Sequence, residues 1–462
     1  MTGMRIPVLL AFMLFALLAA CGDDDAEGAT TTPSAPAGST TPTATATPTR
    51  TPAPSHSPTP IANAPTRVPA VVQLIEVESG EVHELHESLD EQAFLVQFEA
   101  PGVWFRAGEE WMAFDLNGKP VPGGEGPEFP FNACREGPAG EVCGVISPDA
   151  RWLLFWKEAG KITRPNGFVV DVTDQWVLDV EAGAERLLVE GLVSCGGCDG
   201  VFGPRWSSSS NYVVFTESGG DGRRWLTNLQ TGATTPIGNG QGVGTAPVWA
   251  PTTDRVLYST AEGGTVLHTA ETGTTTELAV AWPAAFDSSG AHAYSPAWLF
   301  HVSDDKDPNA PEPETTVVEL ASRSVVYVLA GAAPYANLWD NADAVGETPQ
   351  GLLAVLQGAD GCDGTAIYLD GELDRCVEGG REARIGPGGL IAVARDTGPL
   401  GNIQWPNGGA LESREFAIDI VHPDGTVETV VEGAYGLDAA PGMTWNDAGT
   451  HLLVQWPRFT GL

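Results

Sequence analysis

From Val68 onward the chain alternates short apolar stretches rich in Val, Leu, Phe, Trp and Tyr with breaks of Gly, Pro, Asp and Ser, and scarcely any window carries a helical period. Such runs, bounded by turn formers, predict strands throughout. Two half-units recur. The first is an aromatic or apolar residue, a polar turn and a β-branched or aromatic run. It occurs as Ser147-Pro148-Asp149-Ala150 before Trp152-Leu153-Leu154-Phe155, as Trp206 to Asn211 before Tyr212-Val213-Val214-Phe215, and as Trp249-Ala250-Pro251 with Asp254 before Val256-Leu257-Tyr258. Phe286-Asp287-Ser288-Ser289-Gly290 and Trp445-Asn446-Asp447-Ala448-Gly449 repeat it. Pro fixes φ in such a turn, and Asp, Asn or Gly tolerates the reversal.

The second half-unit is a strand, a small residue with Gly, and another strand: Val177 to Leu188 around Ala182-Gly183, Leu226 to Ile237 around Thr231-Gly232, Val266 to Leu278 around Thr272-Gly273, and Ile418 to Val431 around Asp424-Gly425. The halves alternate, so one full unit is a four-stranded meander, and repetition of that meander predicts a β-propeller. Starts fall near Gln92, Val145, Arg205, Val248, Ala285, Leu338, Ile385 and Met443. Eight blades fit, or seven if the irregular unit near Leu338 is an insertion. Met443 to Trp456 is a first half without a second, and Val71 to Leu85, around Ser79-Gly80, is a second half without a first. Joined in one blade, the two ends would close the ring and leave no free edge.

These residues resemble the TolB-like group of WD40-like β-propellers, whose repeats read roughly Trp-Ser-Pro-Asp-Gly before an apolar strand. The resemblance covers most of the chain from Val68 onward, although only Ser147-Pro148-Asp149 keeps the core tripeptide, with Ala150 in place of Gly. It implies protein partners in the cell envelope.

The N-terminus adds an address. Arg5 precedes an almost wholly apolar run from Ile6 to Ala20, the length of a signal segment and short for a membrane span. Leu18-Ala19-Ala20-Cys21, followed by Gly22 and an Asp run, resembles the lipobox of bacterial lipoproteins. By that resemblance Cys21 becomes the acylated N-terminus of a chain facing the extracytoplasmic side, at the cell surface or in the periplasm, and several acyl chains at ~0.8 kcal/mol per buried methylene make a durable anchor. From Ala26 to about Thr66 the composition is Thr, Pro, Ala and Ser, which cannot build a core and favours an extended, glycosylatable spacer of roughly 100 Å or more at ~3 Å per residue. The expected organisation is signal peptide 1–20, lipidated tether 21–66 and propeller 67–462.

Charge narrows the partners. Lys and Arg total 23 against 60 Asp and Glu, a formal charge of −37, and the tether supplies only Asp23, Asp24, Asp25 and Glu27 of it. Such a surface repels phosphate backbones and anionic headgroups, so nucleic acid is not an expected partner, and membrane contact falls to the lipid on Cys21. Basic proteins, cations and neutral glycans stay open.

Seven cysteines leave six once Cys21 is assigned to lipid, an even number suited to an oxidising compartment. Proximity suggests local staples: Cys134 with Cys143, Cys195 with Cys198, and Cys362 with Cys376. Cys195-Gly196-Gly197-Cys198 has dithiol redox spacing, but Asp199-Gly200-Val201-Phe202-Gly203-Pro204 cannot start the helix that would stabilise a thiolate. His83-Glu84-Leu85-His86-Glu87 falls one residue short of a zinc-protease signature, and on a regular strand its two histidines would point to opposite faces. Asp305, Asp307 and Asn309 alternate as calcium-binding oxygens can, but the loop lacks the bend Gly and closing Glu of a helix-loop-helix site and carries Pro308, Pro311 and Pro313. A solvated insertion is the stronger expectation there, calcium the weaker, and no other cofactor is expected. No Gly-x-Ser-x-Gly elbow is present, and Trp206, Trp249 and Trp445 occupy packing positions of the repeat rather than a sugar platform.

The expected function is that of a lipid-anchored binding or scaffold module, more a receptor for an envelope or extracellular protein than an enzyme. The alternatives are a propeller enzyme acting on extracellular glycans, or a solute- or cation-binding lipoprotein.

Overall fold

The computed structural model describes residues 70–456, apart from 89–92, 100–101, 109, 123–132, 164–166, 168, 195–204, 217–222, 240–246, 261–262, 282–283, 296–313, 332–343, 360, 405–409 and 438–439. All of them belong to one unit, Ala64–Phe459. Cys21, Cys195, Cys198, Asp305, Asp307 and Asn309, with the signal segment and the tether, lie outside the described residues.

Among the described residues the alternating pattern folds into eight small antiparallel sheets and a single 3-10 turn, Pro387–Gly389. In chain order they are sheet A (70–88 with 442–456), sheet B (93–115), sheet C (133–194), sheet D (205–239), sheet E (248–281), sheet F (285–330), sheet G (345–378) and sheet H (380–437). Sheets A and D to H are four-stranded meanders. The starts inferred at Arg205, Val248, Ala285, Ile385 and Met443 each fall within the first strand of a repeat; Val145 falls within Gly140–Ile146, the second strand of sheet C, and Gln92 and Leu338 precede Ala93–Glu99 and Val345–Thr348. Residues 345–378, after Leu338, make a four-stranded antiparallel sheet.

Two sheets depart from the predicted meander. Sheet B has three described strands, and sheet C has five, because Gly137-Pro138-Ala139-Gly140 turns a short polar strand, Ala133–Gly137, back against Gly140–Ile146. Gly140 takes φ 118°, open to glycine and strained for other residues. A Cys134–Cys143 disulfide crosses this hairpin, and a Cys362–Cys376 disulfide lies in sheet G.

The two ends of the described chain share sheet A. Ala70–Glu76 pairs antiparallel with His451–Trp456, from Val71 opposite Trp456 to Glu76 opposite His451. Val72, Leu74, Ile75, Leu452, Leu453 and Val454 are buried along this seam.

Apolar clusters then join sheet A to B and run from sheet C through D, E, F, G and H to A. Leu74 meets Phe105 of sheet B; Leu154 of sheet C joins Val213 and Phe215 of sheet D; Leu226 joins Trp249 and Tyr258 of sheet E; and Leu267 joins Phe286 of sheet F. Tyr294 of sheet F, Val355 of sheet G and Val393 of sheet H form one cluster, and Ile418 of sheet H meets Ile75 and Leu452 of sheet A. Both faces of most sheets are thus covered, which explains why inner strands such as Leu153-Leu154-Phe155 read as continuous apolar runs.

The first-half turn has a common chemistry. Ser147, Ser207, Asp287 and Asn446 each accept the backbone N–H five residues on, from Trp152, Tyr212, His292 and His451, at 2.9, 3.2, 2.8 and 3.0 Å. A short polar acceptor at this position is what the degenerate repeat conserves physically. The fourth turn residue is left-handed in each: Ala150 φ 57°, Ser210 φ 58°, Gly290 φ 73° and Gly449 φ 68°. A Cβ costs about 1 kcal/mol there. Ala150→Gly is therefore expected to raise stability by up to ~1 kcal/mol despite greater freedom in the unfolded chain. Urea unfolding at neutral pH reads this directly, and a loss of stability would refute the strain account.

Candidate functional site

The first-half turns carry a belt of hydrogen bonds from sheet to sheet at the C–D, D–E, E–F and H–A junctions. The Asp149 N–H donates to Ser210 Oγ (3.2 Å), Ser209 Oγ donates to Asp254 (2.7 Å), and Thr252 Oγ1 donates to the Ser289 carbonyl (3.2 Å). Arg255 donates to the Gly290 carbonyl (2.5 Å), and the indoles of Trp249 and Trp445 donate to the carbonyls of Arg205 (2.8 Å) and Arg384 (3.2 Å). The repeat tryptophans thus serve inter-sheet packing. Trp206 packs partly buried between sheets C and D.

The belt holds one titratable cluster, between sheets F and G. Asp287 is fully buried, His292 Nδ1 lies 3.3 Å from its carboxylate and 3.9 Å from Glu347, and Ser289 Oγ donates to the same carboxylate at 2.6 Å. Burial pushes the Asp287 carboxyl up, but hydrogen bonds from His292, Ser289 and the His292 N–H outweigh it and hold the group below the usual carboxylate range. The hydrogen bond to Asp287 raises the imidazole of His292.

The residue types are those of a hydrolytic triad, but the order is wrong. A triad places histidine between serine and carboxylate so that the imidazole takes the serine proton. Here the carboxylate is central and both other groups bond to it, so Ser289 gains no base. The cluster fixes a turn.

A second buried polar group joins sheets D and E. Arg224 is fully buried, with guanidinium bonds to the Ser259 carbonyl (2.7 Å) and Ser259 Oγ (2.8 Å), 5.7 Å from the Tyr258 ring. Burial pushes its pKa down to about 10 and raises that of Tyr258. His268, its ring centroid 6.5 Å from that of Tyr258, is buried with neither ring nitrogen hydrogen-bonded among the described residues, and burial lowers its pKa.

His268 and His292 therefore respond to pH with opposite signs. His292, raised above its ordinary 6.5, contributes stability that is complete below that value and lost as pH climbs through the raised one. His268, depressed below 6.5, contributes stability above that value that is lost as pH falls through the depressed one. Its removal orphans no partner, so His268→Leu is expected to stabilise by about 1 kcal/mol and to flatten the decline in stability below pH 6.5. Urea unfolding at pH 5 and pH 8 measures both; unchanged pH dependence would refute the assignment.

Other sequence candidates disperse. His83 and His86 lie on Glu81–Ser88, where the pairing jumps from Val72–His86 to Gln73–Glu84 and leaves Leu85 as an extra residue. This bulge breaks the strict alternation expected of the pair. His83 lies 3.7 Å from Glu81, while His86 packs against the Phe105 ring. Among the described residues no group of three or more His, Cys, Asp or Glu could hold a metal ion, and no helix is long and apolar enough to cross a membrane.

Sequence reasoning missed Arg224, His268 and the Asp287–His292–Glu347 cluster. The last had a signal, since Asp287 and His292 occupy the repeat positions of Ser147 and Trp152. Arg224, in Arg223-Arg224-Trp225, had none.

No family model matches the chain, and no curated protein matches it. Among solved structures, the chain is similar to a crystal structure of the eukaryotic initiation factor, at 12% identity over 85% of this chain and 99% of that one, with a TM-score of 0.39. It is also similar to an oligogalacturonate lyase in complex with manganese, at 12% identity over 62% of this chain and 78% of that one (TM-score 0.33), and to a putative TolB from Agrobacterium tumefaciens, at 13% identity over 57% and 90% (TM-score 0.23).

Proposed function

We propose that the chain is a closed eight-bladed β-propeller, held outside the cytoplasm by lipid on Cys21 and a Thr/Pro tether, that serves as a binding or scaffold module for an envelope or extracellular protein. The observation that carries this reading is the pairing of Ala70–Glu76 with His451–Trp456, which ties both ends of the repeat array into one sheet. A ring fastened in this way, with belt hydrogen bonds at the C–D, D–E, E–F and H–A junctions, would be a rigid frame on which inter-sheet segments can vary. The strong acidity favours a partner with a basic surface, and the belt's serine and histidine are committed to holding turns, which favours recognition over catalysis.

Affinity capture from solubilised envelope and from culture glycans, with the full chain as bait and mass spectrometry as readout, tests this. A reproducible protein partner is expected, lost when segments 240–246 and 332–343, which lead from one sheet to the next, are replaced by Gly-Ser sequence. A glycan recovered shortened would overturn the scaffold reading. A companion Cys21→Ser variant is expected to leave the membrane fraction; retention there would refute the lipid anchor.

A further inference from the structure

A strand at the edge of a sheet offers a row of N–H and C=O groups for pairing, and proteins blunt such edges with charges or proline. Most outer strands here follow that rule. Glu81–Ser88 carries three glutamates, Glu110–Asp115 begins and ends with an acid, Ala184–Ser194 contains Glu185, Arg186 and Glu190, and Thr234–Asn239 contains Pro236. Thr274–Ala281 has Glu277, Glu372–Glu378 has four charged residues, and Val427–Leu437 has two glutamates. Ser324–Ala330, with the sequence Ser-Val-Val-Tyr-Val-Leu-Ala, has neither charge nor proline. It pairs on one side with Glu314–Glu319 and on the other with no described strand. Val325, Val326 and Val328 are 43%, 38% and 56% exposed.

This edge is also bracketed by acids. Glu319 stands opposite Ser324 at one end and Glu314 opposite Ala330 at the other. The turn Asp370-Gly371-Glu372 of sheet G lies against Tyr327, since a Cβ on Gly371 would collide with the tyrosine ring. Arg323, directly before the strand, is the adjoining cation. A β-branched edge strand inside an acidic frame suits an extended apolar segment flanked by lysine or arginine: backbone groups supply affinity, the valines supply side-chain contacts, and the frame selects the flanks. A second copy of this chain would bring the same acids face to face, with a formal charge of −37 on each molecule.

We infer that Ser324–Ala330 is a docking edge that receives, by strand addition, an extended apolar segment with basic flanks from a partner protein. This surface is distinct from the inter-sheet segments proposed above, so either can fail alone.

The test uses the full chain and three labelled synthetic peptides, read by fluorescence anisotropy at moderate salt. One has an alternating Val-Thr centre with two lysines at each end, one has the same centre with glutamates, and one has a Gly-Ser centre with lysines. The lysine-flanked Val-Thr peptide is expected to bind at least tenfold more tightly than either control and to slow amide exchange at Val325–Leu329. Val328→Lys, at an exposed position, is expected to weaken it at least tenfold without moving the thermal midpoint. No binding at millimolar peptide, equal binding of the Gly-Ser control, or equal binding by the Val328→Lys chain would overturn the inference. So would a peptide-free dimer in sedimentation that Val328→Lys dissolves, which would make the occupant a second copy.

Discussion

Deleting residues 442–462 is expected to abolish cooperative unfolding of the whole chain. The deletion removes Gly442–Trp445 and His451–Trp456, half the strands of sheet A. Met443, Leu452, Leu453, Val454 and Trp456, all buried, leave with them. At about 1.5–3 kcal/mol for each buried side chain, those five account for roughly 8–15 kcal/mol. That equals the entire stability of an ordinary domain, about 5–15 kcal/mol. The damage also spreads to both sides: Ile75 and Val71 lose their cover, Ile418 and Ile420 of sheet H lose the neighbour they pack on, and the edge of Ala70–Glu76 is left unpaired. Removing only 457–462, by contrast, takes away none of the paired strands and is expected to leave the transition in place. Calorimetry and near-ultraviolet circular dichroism of the two truncations provide the check. A sharp transition in the longer deletion would mean that sheet A is an appendage, and the closed-ring reading would fall with it.

What the amino-acid pattern reveals here, and what it hides, follows from the range of the interactions. Strand positions were legible because alternation and turn formers act over a few residues, and the half-units at the two ends could be matched because each carried the same local pattern as the internal copies. The two disulfides within the described residues, Cys134–Cys143 and Cys362–Cys376, join cysteines near in sequence. The extra strand Ala133–Gly137 was hidden, because Ala-Cys-Arg-Glu-Gly has no alternating apolar residues and depends on its partner strand for its conformation. The bulge at Leu85 was hidden for a related reason, since a slip in pairing leaves no mark in composition, and it undid the argument that His83 and His86 must face apart. Burial of a charged residue is the hardest to see. Arg224 sits between Arg223 and Trp225 on an alternating strand, and nothing local says that the neighbouring sheet supplies its acceptors.

That placement makes Arg224 the single side chain whose loss should be felt most. Arg224→Ala is expected to cost about 3–5 kcal/mol, because it opens a cavity between sheets D and E and strips two hydrogen bonds from the carbonyl and hydroxyl of Ser259, which is itself buried. Burial brings the pKa down only to about 10, so at neutral pH the guanidinium stays charged and its lost hydration has to be offset by these bonds and by the Tyr258 ring. Arg224→Met separates the contributions. It keeps most of the volume and removes the charge, leaving mainly the unpaired Ser259 carbonyl, at roughly 1–3 kcal/mol. Adding Ser259→Ala to the methionine variant removes the orphaned hydroxyl and is expected to recover part of the loss, whereas on the wild-type background the same change breaks a bond to a charged donor and destabilises. Urea unfolding of the four chains gives the coupling directly. Additive effects, or an alanine variant within about 1 kcal/mol of wild type, would show that the D–E junction is held by the packing of Leu226, Trp249 and Tyr258 and by its belt hydrogen bonds, and that Arg224 contributes nothing beyond filling space.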